Sequence, residues 1–374
     1  MKTNYSDERG VALIIAIFAL VVVGALVTGS FFLGMQEQQV GRNTLQMEQA
    51  ISAADGGAQF VVADWDAASY NQTAVGDSVT FEGWLTWNNG WYRGSSFRVS
   101  DQVFLVRSEG FSADSTARQQ VGMLVRLKPF DIVFTAALKV QGATRIGGNS
   151  FIDGNDSQPA GWADCDATVA PLAGLTVDDS SLIDIQCTTE SDCLGGSPLI
   201  SIDTTISDSS MTTFGELNFD DLAAMANKTL GPGPYNGVGP VVDGSGECAT
   251  SLLLNWGDPL DPTAACGNYF PILHAPSGTK LTGGVGQGIL LVDGNLEVQG
   301  GFEFYGLVII TGILTTAGTG GHFRGGVMAA NVNLDQNTIL GNALVSYSSC
   351  AVQQSLNSTA PVAQMRERGW LNLN

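Results

Sequence analysis

Positive charge is scarce in this sequence. Its 374 residues include 16 lysines and arginines against 36 aspartates and glutamates, a formal net charge of -20. Nucleic acid binding needs basic groups that displace condensed counterions, so a chain of this charge repels a phosphate backbone, and nucleic acid is excluded as a partner. Charged residues of both signs make up only 14%, a low fraction for a cytosolic enzyme and one that suits an exported, β-rich protein. Histidine is nearly missing, with His274 and His322 alone, and none of the six cysteines forms a C-x-x-C pair. Structural zinc is therefore not expected. No G-x-S-x-G elbow occurs, and no Walker or dinucleotide glycine pattern follows a strand, so the common hydrolase and nucleotide-binding signatures are missing. What is plentiful is glycine, 47 residues without a collagen period of three, within a chain 44% hydrophobic. That length and composition allow two or three domains with a sizeable core.

Charge is also absent from the whole stretch between Gly10 and Gln36. The apolar run from Val11 to Leu33 would be about 35 Å long as a helix, enough to cross a bilayer core. A cleaved secretory signal has a shorter apolar core and small residues at its cleavage site, and "ALVTGSFF" offers no A-x-A. A lipoprotein signal needs a cysteine directly after the run, whereas the first cysteine is Cys165. Beyond the run, Val40, Met47, Ile51, Ala54 and Ala58 recur at helical spacing, with Glu37, Arg42, Glu48 and Gln49 between them. The apolar helix is thus expected to continue as an amphipathic one at least to Gly56-Gly57, a rod roughly 65–70 Å long over residues 11–55.

A polar leader ending in Gly10, an apolar start at Val11, and "RGVALIIAIFALVVVGAL" leading into "EQQVGRN" and "AADGGAQ" resemble the type IV pilin and pseudopilin class. They are most similar to the PilX-type N-terminal region of minor pilins, over about residues 8–65. The resemblance implies cleavage by a prepilin peptidase between Gly10 and Val11, methylation of the new N-terminus, residence in the bacterial inner membrane with an exported C-terminal domain, and later packing against other pilin or pseudopilin subunits at a pilus or the cell surface. Major pilins carry a glutamate at the fifth mature position, where it pairs with a neighbour's terminal amine; a carboxylate there is costly unless paired. This chain has Ile15. By the resemblance, an absent pairing carboxylate implies a minor, tip or assembly-initiating subunit rather than a shaft subunit. The competing function is a membrane-delivered β-solenoid adhesin or glycan-binding protein, with a surface glycan or protein as ligand.

Downstream, "SVTFEGWLTW", "NNG" and "WYRGSSFRVS" form a hairpin-like pattern with an Asn-Gly turn, and "DQVFLVRSEGFS" with "RQQVGMLVRLKP" forms a second antiparallel pair. Trp84, Trp87 and Trp91 are expected to cover the helix or line this small sheet's core, with a binding face as the other reading. After residue 136 the pattern changes to short apolar runs separated by Gly and Asn. Asp293-Gly-Asn-Leu296, Thr311-Gly-Ile-Leu314 and Asn331-Val-Asn-Leu334 recur at offsets of 18 and 20 residues. A near-repeat of this length predicts turns of a parallel β-solenoid, with Val140, Ile146 and Ile152 pointing inward in an earlier coil; a β-sandwich is the alternative.

The fold class expected is therefore α+β, mainly β: a leader (1–10), a transmembrane and amphipathic helix (11–65), an antiparallel β region (66–135), a solenoid (136–156 and 276–350), a loop-rich, disulfide-bearing insertion (157–275) and a C-terminal tail (351–374). Within the insertion, residues 214–230 are expected to be helical. Six cysteines beyond a membrane-targeting segment favour disulfides. The closeness of Cys187 to Cys193, and the polar loop bracketed by Cys248 and Cys266, favour those pairings among fifteen possible connectivities.

Two weaker chemistries remain. Asp178-Asp179 and Asp220-Asp221 are acidic pairs of the type that glycoside hydrolysis uses, and polygalacturonases share the solenoid architecture, but the Asn-Thr-Asp and Gly-His-Gly motifs of that family are absent. The chain is accordingly not expected to be an enzyme. Asp153, Asp156 and Asp293, at Gly- and Asn-containing turns, are weak candidate ligands for calcium, the one cofactor considered, without EF-hand or RTX spacing; turn chemistry explains the same residues.

Overall fold

The computed structural model describes residues 9–87, 89–128, 130, 132–162, 169–215, 217–330, 337–365 and 369–372. Residues 1–8 of the expected leader, the repeat at 331–334 and Cys165 lie outside the described residues. Two compact units are present, one formed by the N-terminal helix, residues 74–126 and the C-terminal end, the other by residues 65–73 and 127–363.

In the first unit, helix α1 runs from Arg9 to Ala63, 55 residues without a break. It passes straight through Gly56-Gly57, where glycine would normally weaken a helix by about 1 kcal/mol each. Packing explains this. A Cβ on Gly57 would fall on the Tyr92 ring, and one on Gly56 would lie 2.9 Å from Leu85. The glycines let the helix axis approach the sheet. Ala50, Ala53, Ala54, Gly57, Ala58 and Val61 form a buried seam of small residues at 3–4 residue spacing. Val40 and Met47, expected on the same stripe, are instead 64% and 55% exposed. Before residue 50 the helix is only half-covered at Gln46 and Gln49, and the apolar side chains of Val40, Leu45 and Met47 stay exposed.

The sheet consists of β1 (Ser78–Leu85), β2 (Gly90–Ser100), β3 (Val103–Phe111) and β4 (Arg118–Leu127), each antiparallel to the next. Trp370–Asn372 adds to β4. Asn89, in the turn between β1 and β2, has φ +53, a left-handed conformation that asparagine tolerates better than most residues. Strand alternation sends Leu85, Tyr92, Val106 and Ser108 toward the helix side and Trp84, Arg93 and Arg107 outward. Trp84 (57% exposed) therefore does not line the core. Trp91 stacks on Phe111 with centroids 3.9 Å apart, and the Trp87 ring, though exposed, reaches the helix at Gly56.

The turn between β3 and β4 ties back to α1. The Asp114 carboxylate accepts hydrogen bonds from Thr116 Oγ1 (2.7 Å), Ser112 Oγ (2.8 Å) and Gln46 Nε2 of the helix (2.7 Å). The bonds from the Thr116 and Ser112 side chains and the Thr116 amide hold its pKa down at about 2. Because the folded value lies below the ordinary one of 3.8, the ionised form stabilises the fold fully above that value, and the contribution fades as pH falls through the folded value. An Asp114→Asn variant should melt below the native protein at neutral pH, with the gap closing between about pH 4 and about pH 2. A gap independent of pH in thermal melts over that range would show that ionisation of Asp114 plays no part.

The second unit is a parallel sheet curled on itself, so that successive turns of the chain stack in three ladders. The first ladder runs through Lys228–Thr229, Ile272–Ala275, residues 289–292, 307–310 and 327–329, then Ala136–Val140, Ala173–Val177 and Ile200–Ile202. The second runs through Pro234–Val238, residues 280–284, Leu296–Gln299, Leu314–Ala317, Asn337–Ile339, Thr144–Ile146 and Ile183–Ile185. The third joins residues 285–288, 302–306, 321–325, Leu344–Tyr347, Phe151–Asp153 and Leu194–Gly195. Leu138, Leu290, Val308 and Val327 from the first ladder, Leu281, Val298, Leu314 and Ile146 from the second, and Phe302, Phe304, Phe323 and Ile152 from the third form one buried core. A turn buries its inward residues by stacking on its neighbours, and the first ladder is buried on its outward side as well, at Ile289, Leu291, Leu307, Ile309 and Met328. Such continuous parallel stacking excludes the sandwich. Val140, Ile146 and Ile152 are fully buried, and the Asp293 and Thr311 corners fall in register through Leu296 opposite Leu314.

Stack order is not chain order. The turn at 136–153 sits between residues 321–347 and 173–195: Leu138 pairs with Val327 on one side and Leu175 on the other, and Ile146 with Ile339 and Ile185. The stretch 157–275, expected as an insertion, leaves and re-enters the stack. It supplies the turn at 173–202 and, at the far end, the strands at 228–238. Between these, residues 203–227 return the chain across the first ladder. Asp203 reaches Lys139 (4.0 Å) at one end, and Phe219 meets the ring of His274 (6.3 Å) at the other. The expected helix over 214–230 is shorter, Phe219–Ala224, because Thr213–Phe214 pairs with Leu217–Asn218 and Asn218 then caps the helix with Asp221 in a reciprocal box. Cys187 is bonded to Cys193 between strands of the end turn, and Cys248 to Cys266 in the loop at 239–271; no free cysteine occurs among the described residues. In the expected C-terminal tail, Ser349–Thr359 is helical and packs on the strands of the third ladder.

Candidate functional site

The largest surface that the fold leaves unexplained is the first two thirds of α1. From Leu13 to Leu33 nearly every residue is apolar and exposed, and the helix contains an 18-residue window of mean hydropathy 2.6, none of it buried. By length and composition it can cross a membrane. Its few hydroxyls are satisfied within the helix: Thr28 Oγ1 donates to Gly24 O (2.8 Å) and Ser30 Oγ to Leu26 O (2.9 Å). The apolar surface therefore carries no orphaned polar side chain, which hydrocarbon would penalise by several kcal/mol. Ile15 lies on this surface, 61% exposed, while Gly10 and Val11 lie within the first turns of the helix.

The acidic residues singled out as candidate ligands are dispersed among local structural roles. Asp153 Oδ1 accepts from Asn155 N (3.0 Å) and Nδ2 (2.7 Å), and Asp156 accepts from Ser349 N (2.9 Å) and Oγ (2.5 Å) at the start of the last helix. Asp293 Oδ2 is 2.7 Å from His274 Nε2. No group of three or more potential metal-ligating side chains is found among the described residues. Asp178 accepts from Gly142 N (2.9 Å), Asp179 caps a short turn through Ser181, and Asp221 caps Phe219–Ala224. Their neighbours hold Asp179 below the usual carboxylate range through the Ser181 amide and hydroxyl. His322 Nδ1 lies 3.6 Å from Glu303, itself an acceptor for the Tyr305 hydroxyl (3.1 Å).

Sequence reasoning missed Lys228. Its ammonium is buried and donates to Thr250 O and Leu252 O, both at 2.6 Å, while lying over the Tyr269 ring at 5.6 Å. Burial lowers its pKa and raises that of Tyr269 to about 12. The lysine closes the loop bearing Cys248–Cys266 onto the end strand, a structural use of a charge that nothing in "ANKTL" announces.

No family model matches the chain, and no curated protein matches it. Among solved structures, a match is the competence-associated pilin ComZ from Thermus thermophilus, at 12% identity and a TM-score of 0.24, covering 88% of this chain and 96% of that one.

Proposed function

We propose that the chain is a pilin-like structural subunit, held in the membrane by α1 and assembled with other pilin or pseudopilin subunits, and that it serves as a minor, tip or assembly-initiating member. The observation that carries this reading is the single unbroken helix, apolar and exposed at residues 13–33 and seated by its alanine and glycine seam on a small sheet from residue 50 onward. An anchor alone would need only the first part; a helix that emerges and docks a sheet also presents a fixed surface for lateral packing. Ile15 supports the minor role, because an apolar side chain there supplies no charge to pair with a neighbour's terminal amine.

N-terminal mass spectrometry of the native protein tests the processing step. The expected mature chain starts at a methylated Val11, cut by a prepilin peptidase; a chain retaining Met1 refutes it. Deleting the gene tests the role. Loss of filaments is the expected result, whereas intact filaments with lost surface attachment would favour the adhesin reading.

A further inference from the structure

The outward face of the β1–β4 sheet is an ordered array set by register. Trp84, Trp91, Phe111 and Arg118 form one row across the strands, Glu82, Arg93, Glu109 and Gln120 the next, and Thr80, Ser95, Arg107 and Gly122 the third. Thr80 and Ser95 of the third row are short beside Arg107 and the long side chains of the second, and this difference in length opens a hollow of about 620 Å³ on the face. Ligand sites commonly fall in this size range.

The walls are polar but charge-balanced. Arg93 donates to Glu109 (Nη2 to Oε2, 2.9 Å) and lies over Trp91 and Phe111 at 5.8 and 5.1 Å, and Arg107 lies over Phe97 at 6.0 Å. Two arginines and two glutamates, Glu82 and Glu109, line the same hollow. An anionic ligand would meet both carboxylates and the chain's net charge of -20. An apolar ligand would strip water from four ionised groups. A ligand rich in neutral donors and acceptors avoids both costs. Beside the hollow, Trp84 presents a ring left 57% exposed, two residues along β1 from Glu82 and on the same face.

We propose that this face binds a neutral glycan, with one sugar ring stacked on Trp84 and the next hydrogen-bonded in the hollow by Glu82, Arg107 and Gln120. Aromatic rings offer a flat apolar surface to the C–H face of a pyranose, and the Glu82 carboxylate, Arg107 guanidinium and Gln120 amide offer planar donors and acceptors to its hydroxyls.

The test uses the full chain in a detergent without a sugar headgroup, titrated with cellohexaose, chitohexaose and maltohexaose and followed by tryptophan fluorescence and calorimetry. Saturable binding to a neutral hexasaccharide is expected, with oligogalacturonate inert. Trp84→Ala and Ser95→Gln, one removing the platform and the other filling the hollow, should each weaken binding roughly tenfold or more without changing the melting temperature. No saturable binding to any of the hexasaccharides overturns the proposal, as does binding that both variants leave intact. Loss of association with another subunit in Trp84→Ala, without any sugar binding, would assign the face to a protein and equally overturn it. None of these outcomes bears on processing at Val11, so the proposed pilin-like role stands or falls separately.

Discussion

Gly306→Ala should unfold the curled sheet at denaturant concentrations where the native chain is intact, with a loss of about 4 kcal/mol. Gly288, Gly306 and Gly325 pair with one another in register at the corner where the third ladder turns into the first, with φ of +107, +134 and +147. In that conformation an L side chain is strained wherever it stands. Space is lacking as well. A Cβ on Gly306 would fall on the carbonyl oxygen of Gly288 in the turn below and on Ser355 Oγ of the covering helix, and one on Gly325 would meet the carbonyl of Gly306. The obstacle is backbone held in the ladder, so relaxation must break the stack. Urea titration of the full chain checks this, and a shift below about 1 kcal/mol would mean that the corner can open at little cost.

Gly110→Ala should release α1 from its sheet, at about 3 kcal/mol. Gly110 faces the helix from β3, and its Cβ would land on the backbone nitrogen of Ala54 and the carbonyl of Ala50. Neither can move without breaking the helix, so the added methyl group must push the two elements apart. Amide hydrogen exchange at residues 50–61 should accelerate strongly in the variant. Gly41→Ala is the contrast: nothing lies within 4 Å of its Cβ, so the better helix propensity of alanine should make that variant as stable as the native chain or slightly more so. Equal exchange rates in native and Gly110→Ala protein would show that the small-residue seam does not hold the helix.

The parts legible in the sequence were those governed by local chemistry. An uninterrupted apolar run and the amphipathic pattern after it specify one long helix, and alternation around "NNG" specifies the first hairpin. The Asp293 and Thr311 corners mark turns of a coiled parallel sheet because each turn repeats the same short strand and tight bend. The buried seam of α1 was less legible. Alanine and glycine have little hydrophobic signal, and Val40 and Met47, which have more, lie beyond the reach of the sheet.

What the sequence determined by itself is therefore the long helix, the first hairpin, the Asp293 and Thr311 corners and the membrane-competent surface of α1, since these follow from side-chain periodicity and polarity within a few turns of chain. Tertiary structure alone decided the order of the stack. Residues 136–153 pair with partners in 321–347 about half the chain away, yet they are neighbours in all three ladders, and any turn of similar length and inward polarity would satisfy the same local pattern. The choice lies in whether cores, corners and the returning segment that carries Phe219 fit simultaneously. The same holds for the hollow beside Trp84. Its residues are unremarkable along the chain, and only the register of four strands sets small side chains between long ones and leaves a charge-balanced depression beside an exposed ring.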